Sequence, residues 1–364
     1  MNRGRVDAAP PQTTGRVSPA LPPETVFFAA LTLLALAVIG LRLPLPSPMV
    51  QVVVLAVLVG VLGLPHGALD PLIARRAGLW RRPLGFVGFN LGYLALVGAV
   101  VAVWFAAPGP SLVFFLVISG VHFGADWNAG CSLWLRIPPG LALLTLPAWV
   151  HHGEVAAIYR SLAGSDGVVI ATVQSALGPA ALSVMLLGAV VAVRSRPHQA
   201  LELVLAAALA ALAPPLVFFV IYFCALHSVR HLSQGVQVER AEAARRANPA
   251  RRANPAGRAN LARSANSAGR PQRGDRADRS VIRGRRLVPW PIIITIGYTL
   301  GPILVGVSLW GSLGTAPLAD RMAQLVFVGL AALTVPHMVV VAAETRAARR
   351  ATPVRGISPT LDTP

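Results

Sequence analysis

Five histidines lie inside long apolar stretches of this 364-residue chain: His66, His122, His227, His231 and His337. Imidazole is the side chain that most often binds metals in proteins. An ionisable group inside a bilayer is costly, and such groups usually face the interior of a helix bundle and mark a functional site. Five of them together therefore predict a metal or cofactor site rather than five separate packing residues.

Spacing places two of these histidines on one helix face. His227 and His231, in YFCALHSVRH, are four residues apart, so both imidazoles can reach one ion. His337 follows Pro336 in TVPHMVV, where the missing N–H of proline bends a helix. We expect His337 to be either a fifth ligand or a residue of the ligand pocket.

A histidine and an aspartate occur twice with the same spacing. His66 precedes Asp70 by four residues in LPHGALD, and His122 precedes Asp126 by four in GVHFGAD. An aspartate one turn away can accept the second ring N–H of a ligating histidine and fix its tautomer, which is the role we assign to both. Alternatively, both aspartates mark solvated helix ends. Glycines that permit close helix approach flank the motifs, namely Gly63, Gly67, Gly120 and Gly124.

The composition indicates a membrane protein. Hydrophobic residues make up 55% of the chain and charged residues 13%, which is too apolar for an ordinary soluble domain. We predict an all-α, polytopic membrane bundle of about 8–10 transmembrane helices. The candidate spans are residues 25–42, 49–71, 84–107, 111–127, 134–150, 168–193, 199–213, 215–233, 288–312 and 322–345, of which 134–150 and 199–213 are short.

The remaining segments are polar. We predict a disordered N-terminal tail at 1–24, a membrane domain at 25–345 and a disordered C-terminal tail at 346–364. A low-complexity insert at 239–286 carries the motif RRANPA twice and holds most of the net charge of +18. It has no apolar face to bury, so we interpret it as a disordered cytoplasmic loop against anionic lipid, with no nucleic-acid partner.

Arginine placement predicts the topology. With ten spans, the arginine-rich loops and both termini lie on the cytoplasmic side of the cell membrane, and loops such as 153–167 lie outside. The helices that carry the five histidines then all run in the same direction. Each histidine lies roughly 16 to 26 Å along its helix at 1.5 Å per residue, so the five are expected at similar depth.

Four of these segments together resemble a known family. GLPHGALD, SGVHFGADW, YFCALHSVRH and VPHMVV are similar, in the same order, to motifs of the bacterial Brp/Blh family of membrane β-carotene 15,15'-dioxygenases. The arginine-rich insert departs from that pattern. The resemblance implies cleavage of the central double bond of β-carotene by O2 to two molecules of all-trans-retinal. It also implies Fe(2+) held by His66, His122, His227 and His231.

The implied iron and its apolar substrate lead to expectations about the surrounding residues. Asp70 and Asp126 would stabilise the ion electrostatically. An apolar tunnel would hold the polyene, with Phe123 and Tyr222 among the candidate lining residues. A retinal-binding rhodopsin would be a functional partner of such an enzyme.

Three other functions remain open on the sequence. A haem-binding electron-transfer protein would use axial histidines from different helices, against which the close pair His227 and His231 argues. A metal or proton transporter would use histidine and aspartate as a relay. A non-catalytic accessory protein would bind a carotenoid without cutting it.

Overall fold

The computed structural model of the protein describes residues 21–63, 67–128, 132–247, 300–301 and 316–351. Within these residues the ordered elements are helices and no strand occurs, which confirms the all-α prediction. Outside them lie His66, most of the predicted span 288–312, most of the insert and most of both tails. The helices are α1 (Pro23–Gly40), α2 (Pro48–Leu58), α3 (Asp70–Arg76), α4 (Pro83–Ala106), α5 (Pro108–Phe123), α6 (Ala125–Asn128), α7 (Leu133–Val150), α8 (His152–Ala176), α9 (Gly178–Ala192), α10 (Pro197–Leu212), α11 (Pro215–Val220), α12 (Val229–Ala247) and α13 (Leu318–Ala351).

Several of these helices are those of a multi-pass membrane protein. Among the described residues, five helical stretches are long and apolar enough to cross a bilayer, and each coincides with a predicted span: Pro23–Gly40, Pro83–Ala106, Pro108–Trp127, Pro215–Val238 and Leu318–Arg350. A sixth crossing is possible if α7 and α8, which meet at 111°, form one broken span. Three further apolar helices are shorter: Pro48–Gly63, Gly178–Ala192 and Pro197–Leu212.

The segment between α7 and α9 differs from its prediction. Residues 153–167 were expected as an external loop and 168–193 as one helix, whereas helix α8 begins at His152 and a second helix begins at Gly178. Val155, Ile158 and Leu162 give the segment an apolar face at helical spacing. Polar residues on the opposite face lower its average hydropathy, and that average had indicated a loop. The helix is kinked at Gly164, whose φ of 60° favours glycine.

Two helices contain wider π-helical turns. Helix α2 continues as a π-helical segment at Val59–Gly63, and α11 passes into α12 through another at Ile221–Ser228. The two segments touch, and a Cβ on Gly63 would lie 2.8 Å from the ring of Phe223. Such turns insert a residue, change the direction of the side chains that follow and often occur at functional sites.

Glycine allows helices α5 and α7 to pack backbone against backbone. A Cβ added to Gly124 would collide with the carbonyl oxygen of Arg136, and one added to Gly140 would collide with that of Gly120. Any larger residue would therefore force the helices apart. This contact fixes the end of α5, where the first site histidine lies.

Helices extend into segments that were predicted as disordered. Helix α12 continues to Ala247, past the predicted start of the insert at Glu239, and α13 continues to Ala351, past the predicted start of the tail at Arg346. Both extensions are rich in alanine and arginine, which have high helix propensity, and the first also contains glutamate. The disorder of the remaining tail and insert residues stays a prediction.

Candidate metal centre

Three histidines from two chain segments converge at one point. His122 lies in the last turn of α5, His227 in the π-helical segment and His231 in the first turn of α12. One ring nitrogen from each lies within 4.8 Å of the others. The ring centroids are separated by 4.6 Å for His122 and His227, 5.3 Å for His122 and His231, and 4.5 Å for His227 and His231.

The geometry of these imidazoles fits a metal ion. The Nε2 atoms of His122 and His227 are 3.0 Å apart. Two imidazole nitrogens bound at right angles, each about 2.1 Å from one ion, would be separated by about 3 Å. His122 and His227 are buried, and the side chain of His231 is 26% exposed. Neutral nitrogen donors in an apolar interior are a ligand set that suits iron, copper, nickel or zinc.

Asp126 orients one of the three histidines. Its Oδ2 atom accepts a hydrogen bond from the Nδ1 of His227 at 3.0 Å and another from the hydroxyl of Tyr222 at 2.6 Å. With its Nδ1 donating to the carboxylate, His227 presents Nε2 as a lone pair toward His122. This is the arrangement of a carboxylate–histidine pair at a metal site.

The partner of Asp126 differs from the one that its spacing suggested. We expected Asp126 to accept from His122, one turn earlier, but it pairs with His227 from another helix. Helix α5 ends at Phe123, and a new short helix begins at Ala125 after Gly124. The break interrupts the regular helical stacking of residues four apart, so the carboxylate points toward the π-helical segment.

A second aspartate makes a similar set of contacts near His122. Asp70, the first residue of α3, accepts from the Nδ1 of His337 at 2.7 Å and from the hydroxyl of Tyr93 at 2.9 Å. The ring of His337 lies 5.1 Å from that of His122 and 6.4 Å from that of His231. The predicted pairing of Asp70 with His66 lies outside the described residues.

A buried ionic cluster, which was not predicted from the sequence, contacts the backbone of Asp126. Glu202 of α10 is fully buried and accepts from the Nη2 of Arg230 and from the hydroxyl of Thr25, both at 2.5 Å. Nη1 of Arg230 donates to the backbone carbonyl of Asp126 at 3.1 Å. Charged residues inside the apolar runs 199–213 and 215–233 were the available signal, since a buried ion in a membrane requires a partner.

An apolar cavity of about 80 Å³ lies next to Phe123, close to the histidines. Phe123 forms part of its wall, and the same ring packs edge-on against His227 with centroids 4.9 Å apart. Tyr222, the other predicted lining residue, does not line this cavity and instead bonds to Asp126. The remaining wall is contributed mainly by Leu112, Phe115, Leu116, Leu144, Pro147, Val155, Ile158, Leu162, Leu216, Phe218, Phe219 and Phe327.

Comparison with known proteins identifies the family. The family model described as beta-carotene 15,15'-dioxygenase matches residues 57–343. The chain is 28% identical over 301 residues to a beta-carotene 15,15'-dioxygenase from uncultured marine bacterium 66A03, covering 78% of this chain and 90% of that protein. It is 28% identical over 272 residues to a probable beta-carotene 15,15'-dioxygenase Blh of Halobacterium salinarum, covering 66% and 77% respectively. No solved structure matches.

The family match includes every described residue of the histidine site, since 57–343 runs from before Asp70 to beyond His337. The relatives are matched over most of their own length, so the resemblance is not confined to one motif. The chain belongs to the β-carotene 15,15'-dioxygenase family of membrane enzymes.

Proposed function

We propose that this protein is an iron-dependent dioxygenase that cleaves the central 15,15' double bond of β-carotene with O2 to give two molecules of all-trans-retinal. The observation that carries the proposal is the convergence of three membrane-embedded imidazoles within 4.8 Å beside an apolar cavity. The names of the family and of its relatives support the substrate and the reaction. In the balanced reaction the carbon–carbon double bond breaks, and each carbon receives one oxygen atom of O2.

The ligands we propose are His122, His227 and His231, completed by His66, which lies outside the described residues. Fe(2+) bound there would supply the activation of O2 at an open coordination position. Asp126 holds the Nδ1 proton of His227, so that Nε2 remains available as a lone pair. Its carboxylate also offsets part of the positive charge of the ion, which neutral imidazoles leave uncompensated.

The cavity suits the substrate class. β-Carotene is a long hydrocarbon that dissolves in lipid, and the cavity wall is almost entirely aliphatic and aromatic. Phe123 separates part of this space from His227, so it can set how closely the polyene approaches the imidazoles. The residues of the cavity would bind part of the polyene and so help to determine which of its chemically similar double bonds approaches the histidines.

The spacing of His122 and His227 argues against a haem bound between these two residues. Axial histidines bind haem iron from opposite faces, so their nitrogens would be about 4 Å apart for bonds of about 2 Å. The Nε2 atoms of His122 and His227 are 3.0 Å apart. That spacing leaves no room for a macrocycle between the two rings.

We further propose that the enzyme lies in the cell membrane with both termini cytoplasmic, in contact with lipid. The arginine distribution supports this orientation. The products would pass to a protein that uses retinal, such as a retinal-binding rhodopsin.

The test is product analysis in a bacterial host that makes β-carotene. The full-length chain is compared with His66→Ala, His122→Ala, His227→Ala and His231→Ala, and with His198→Ala as a control outside the site. The proposal expects bleaching and retinal in the wild type and the control, and intact β-carotene in the four site variants at equal membrane expression. Intact β-carotene with well-inserted wild type would refute it.

A further inference from the structure

Two units of tyrosine, aspartate and histidine flank His122. In one, Tyr222 and His227 both donate to Asp126. In the other, Tyr93 and His337 both donate to Asp70. Tyr222 and His227 share the π-helical segment, whereas Tyr93, Asp70 and His337 come from three helices. Asp126 and Asp70 are both buried. Each unit therefore fixes one imidazole with its Nδ1 proton on a carboxylate and its Nε2 as an acceptor.

The histidine of the second unit lies against the same residue, His122, as the histidine of the first. The ring of His337 is 5.1 Å from that of His122, which is closer than the 5.3 Å between His122 and His231. His122 and His337 meet edge to face at 78°, the same angle as His122 and His227. The ring of His337 therefore lies about as close to His122 as the ring of His231 does, although His337 is not among the three histidines whose nitrogens all lie within 4.8 Å of one another.

An ion pair joins the two helices that carry Asp70 and His337. Arg76, in the last turn of α3, donates to Glu344 of α13 at 3.0 Å. Asp70 begins α3, and His337 precedes Glu344 by seven residues, about two helical turns. The two helices are therefore joined at both the ion pair and the Asp70–His337 bond, which limits rotation of the imidazole away from the site.

Burial of the Asp70 carboxylate costs free energy, which suggests a functional role for this unit. A carboxylate that is fully buried among apolar helices requires hydrogen bonds to compensate for lost hydration. Packing alone would be served by an apolar residue at position 70. A carboxylate that accepts the Nδ1 proton of an imidazole is a recurrent accompaniment of metal ligation.

We propose that His337 is a further metal ligand of this centre and that Tyr93 and Asp70 are its positioning residues. This inference rests on the proposed metal site and adds a ligand that the histidine motifs at residues 66, 122, 227 and 231 do not include. The centre is then built by two units of the same composition, tyrosine, aspartate and histidine. Loss of the second unit lowers metal affinity as well as activity.

Metal binding by the detergent-purified full-length protein tests the proposal. Co(II) is titrated as a spectroscopic probe into wild type, His337→Ala, Asp70→Asn and Tyr93→Phe, with His152→Ala as a histidine control at the other end of the bundle. We expect the Co(II) dissociation constant of His337→Ala to rise at least about tenfold. We also expect its visible absorption bands to shift, because the set of coordinating atoms has changed.

The conservative variants separate ligation from folding. Tyr93→Phe removes one hydroxyl and should weaken Co(II) binding while leaving the band positions of wild type, since His337 still ligates. Asp70→Asn should weaken it further. The inference is overturned if wild type binds Co(II) and folded His337→Ala binds it with the same affinity and the same spectrum. If wild type itself binds no Co(II), the proposed metal centre fails together with it.

Discussion

Replacing Arg230 by methionine tests whether the buried ionic cluster holds the site together. The Arg230 side chain is 8% exposed and Glu202 is fully buried, so the substitution leaves a carboxylate in the bundle interior without its cation. Removing one partner of a buried ion pair typically costs about 3–5 kcal/mol. The carbonyl of Asp126 also loses its donor from Arg230, which adds roughly 1–3 kcal/mol if that acceptor stays unsatisfied.

A double-mutant cycle isolates this effect. Glu202→Met combined with Arg230→Met removes both charges, and replacing a buried pair by apolar residues is often neutral or stabilising. We therefore expect the double variant to be more stable than Arg230→Met alone by about 2 kcal/mol or more. The assay is equilibrium unfolding in mixed micelles of a mild and a denaturing detergent, followed by circular dichroism.

The reasoning would be wrong on either of two results. Arg230→Met could unfold within about 0.5 kcal/mol of wild type, the range typical of surface substitutions. Alternatively, the double variant could be less stable than both single variants. Either result would mean that the pair is not coupled in a low-dielectric interior.

Three further predictions concern the site and its walls. Asp126→Asn should weaken Co(II) binding by about 10–100-fold, because His227 loses its orienting carboxylate, and a metal titration that matches wild type would contradict this. Gly124→Val should abolish folded protein in detergent gel filtration, because its side chain meets the carbonyl of Arg136, whereas Gly92→Val, which faces open space, should elute normally. Phe123→Leu should alter the ratio of retinal to longer apocarotenals among the products, because the cavity wall beside His227 recedes; an unchanged product profile would show that this ring does not position the polyene.

The long spans could be predicted from the sequence because each depends only on local composition. Apolar length located both ends of α4 to within one residue and those of α13 to within six. The helix in segment 153–167 could not be predicted from apolar length. It is stabilised by the packing of one apolar face, and an average hydropathy over all residues does not detect such a face. The extension of α12 to Ala247 reflects the high helix propensity of its residues. We had predicted disorder there because the segment is rich in arginine and has no apolar face.

The histidines of the site were identifiable because ionisable residues are rare inside apolar helices. The sequence identified Asp70 and Asp126 as carboxylate partners, but it did not predict which histidine each of them bonds. The spacing suggested Asp126 for His122, and the break at Gly124 directs it to His227 instead. Tyr93 gave no signal, since its bond to Asp70 spans two helices and depends on tertiary structure alone.

The central claim is that metal bound by the converging histidines is required for central cleavage of β-carotene. The most direct measurement is the yield of retinal per β-carotene consumed by purified protein, recorded against bound iron per chain. The account predicts two retinal molecules per β-carotene, formation that saturates near one iron per chain, and neither product nor iron in His122→Ala. Retinal produced at the wild-type rate by metal-free protein, or by His122→Ala, would contradict it.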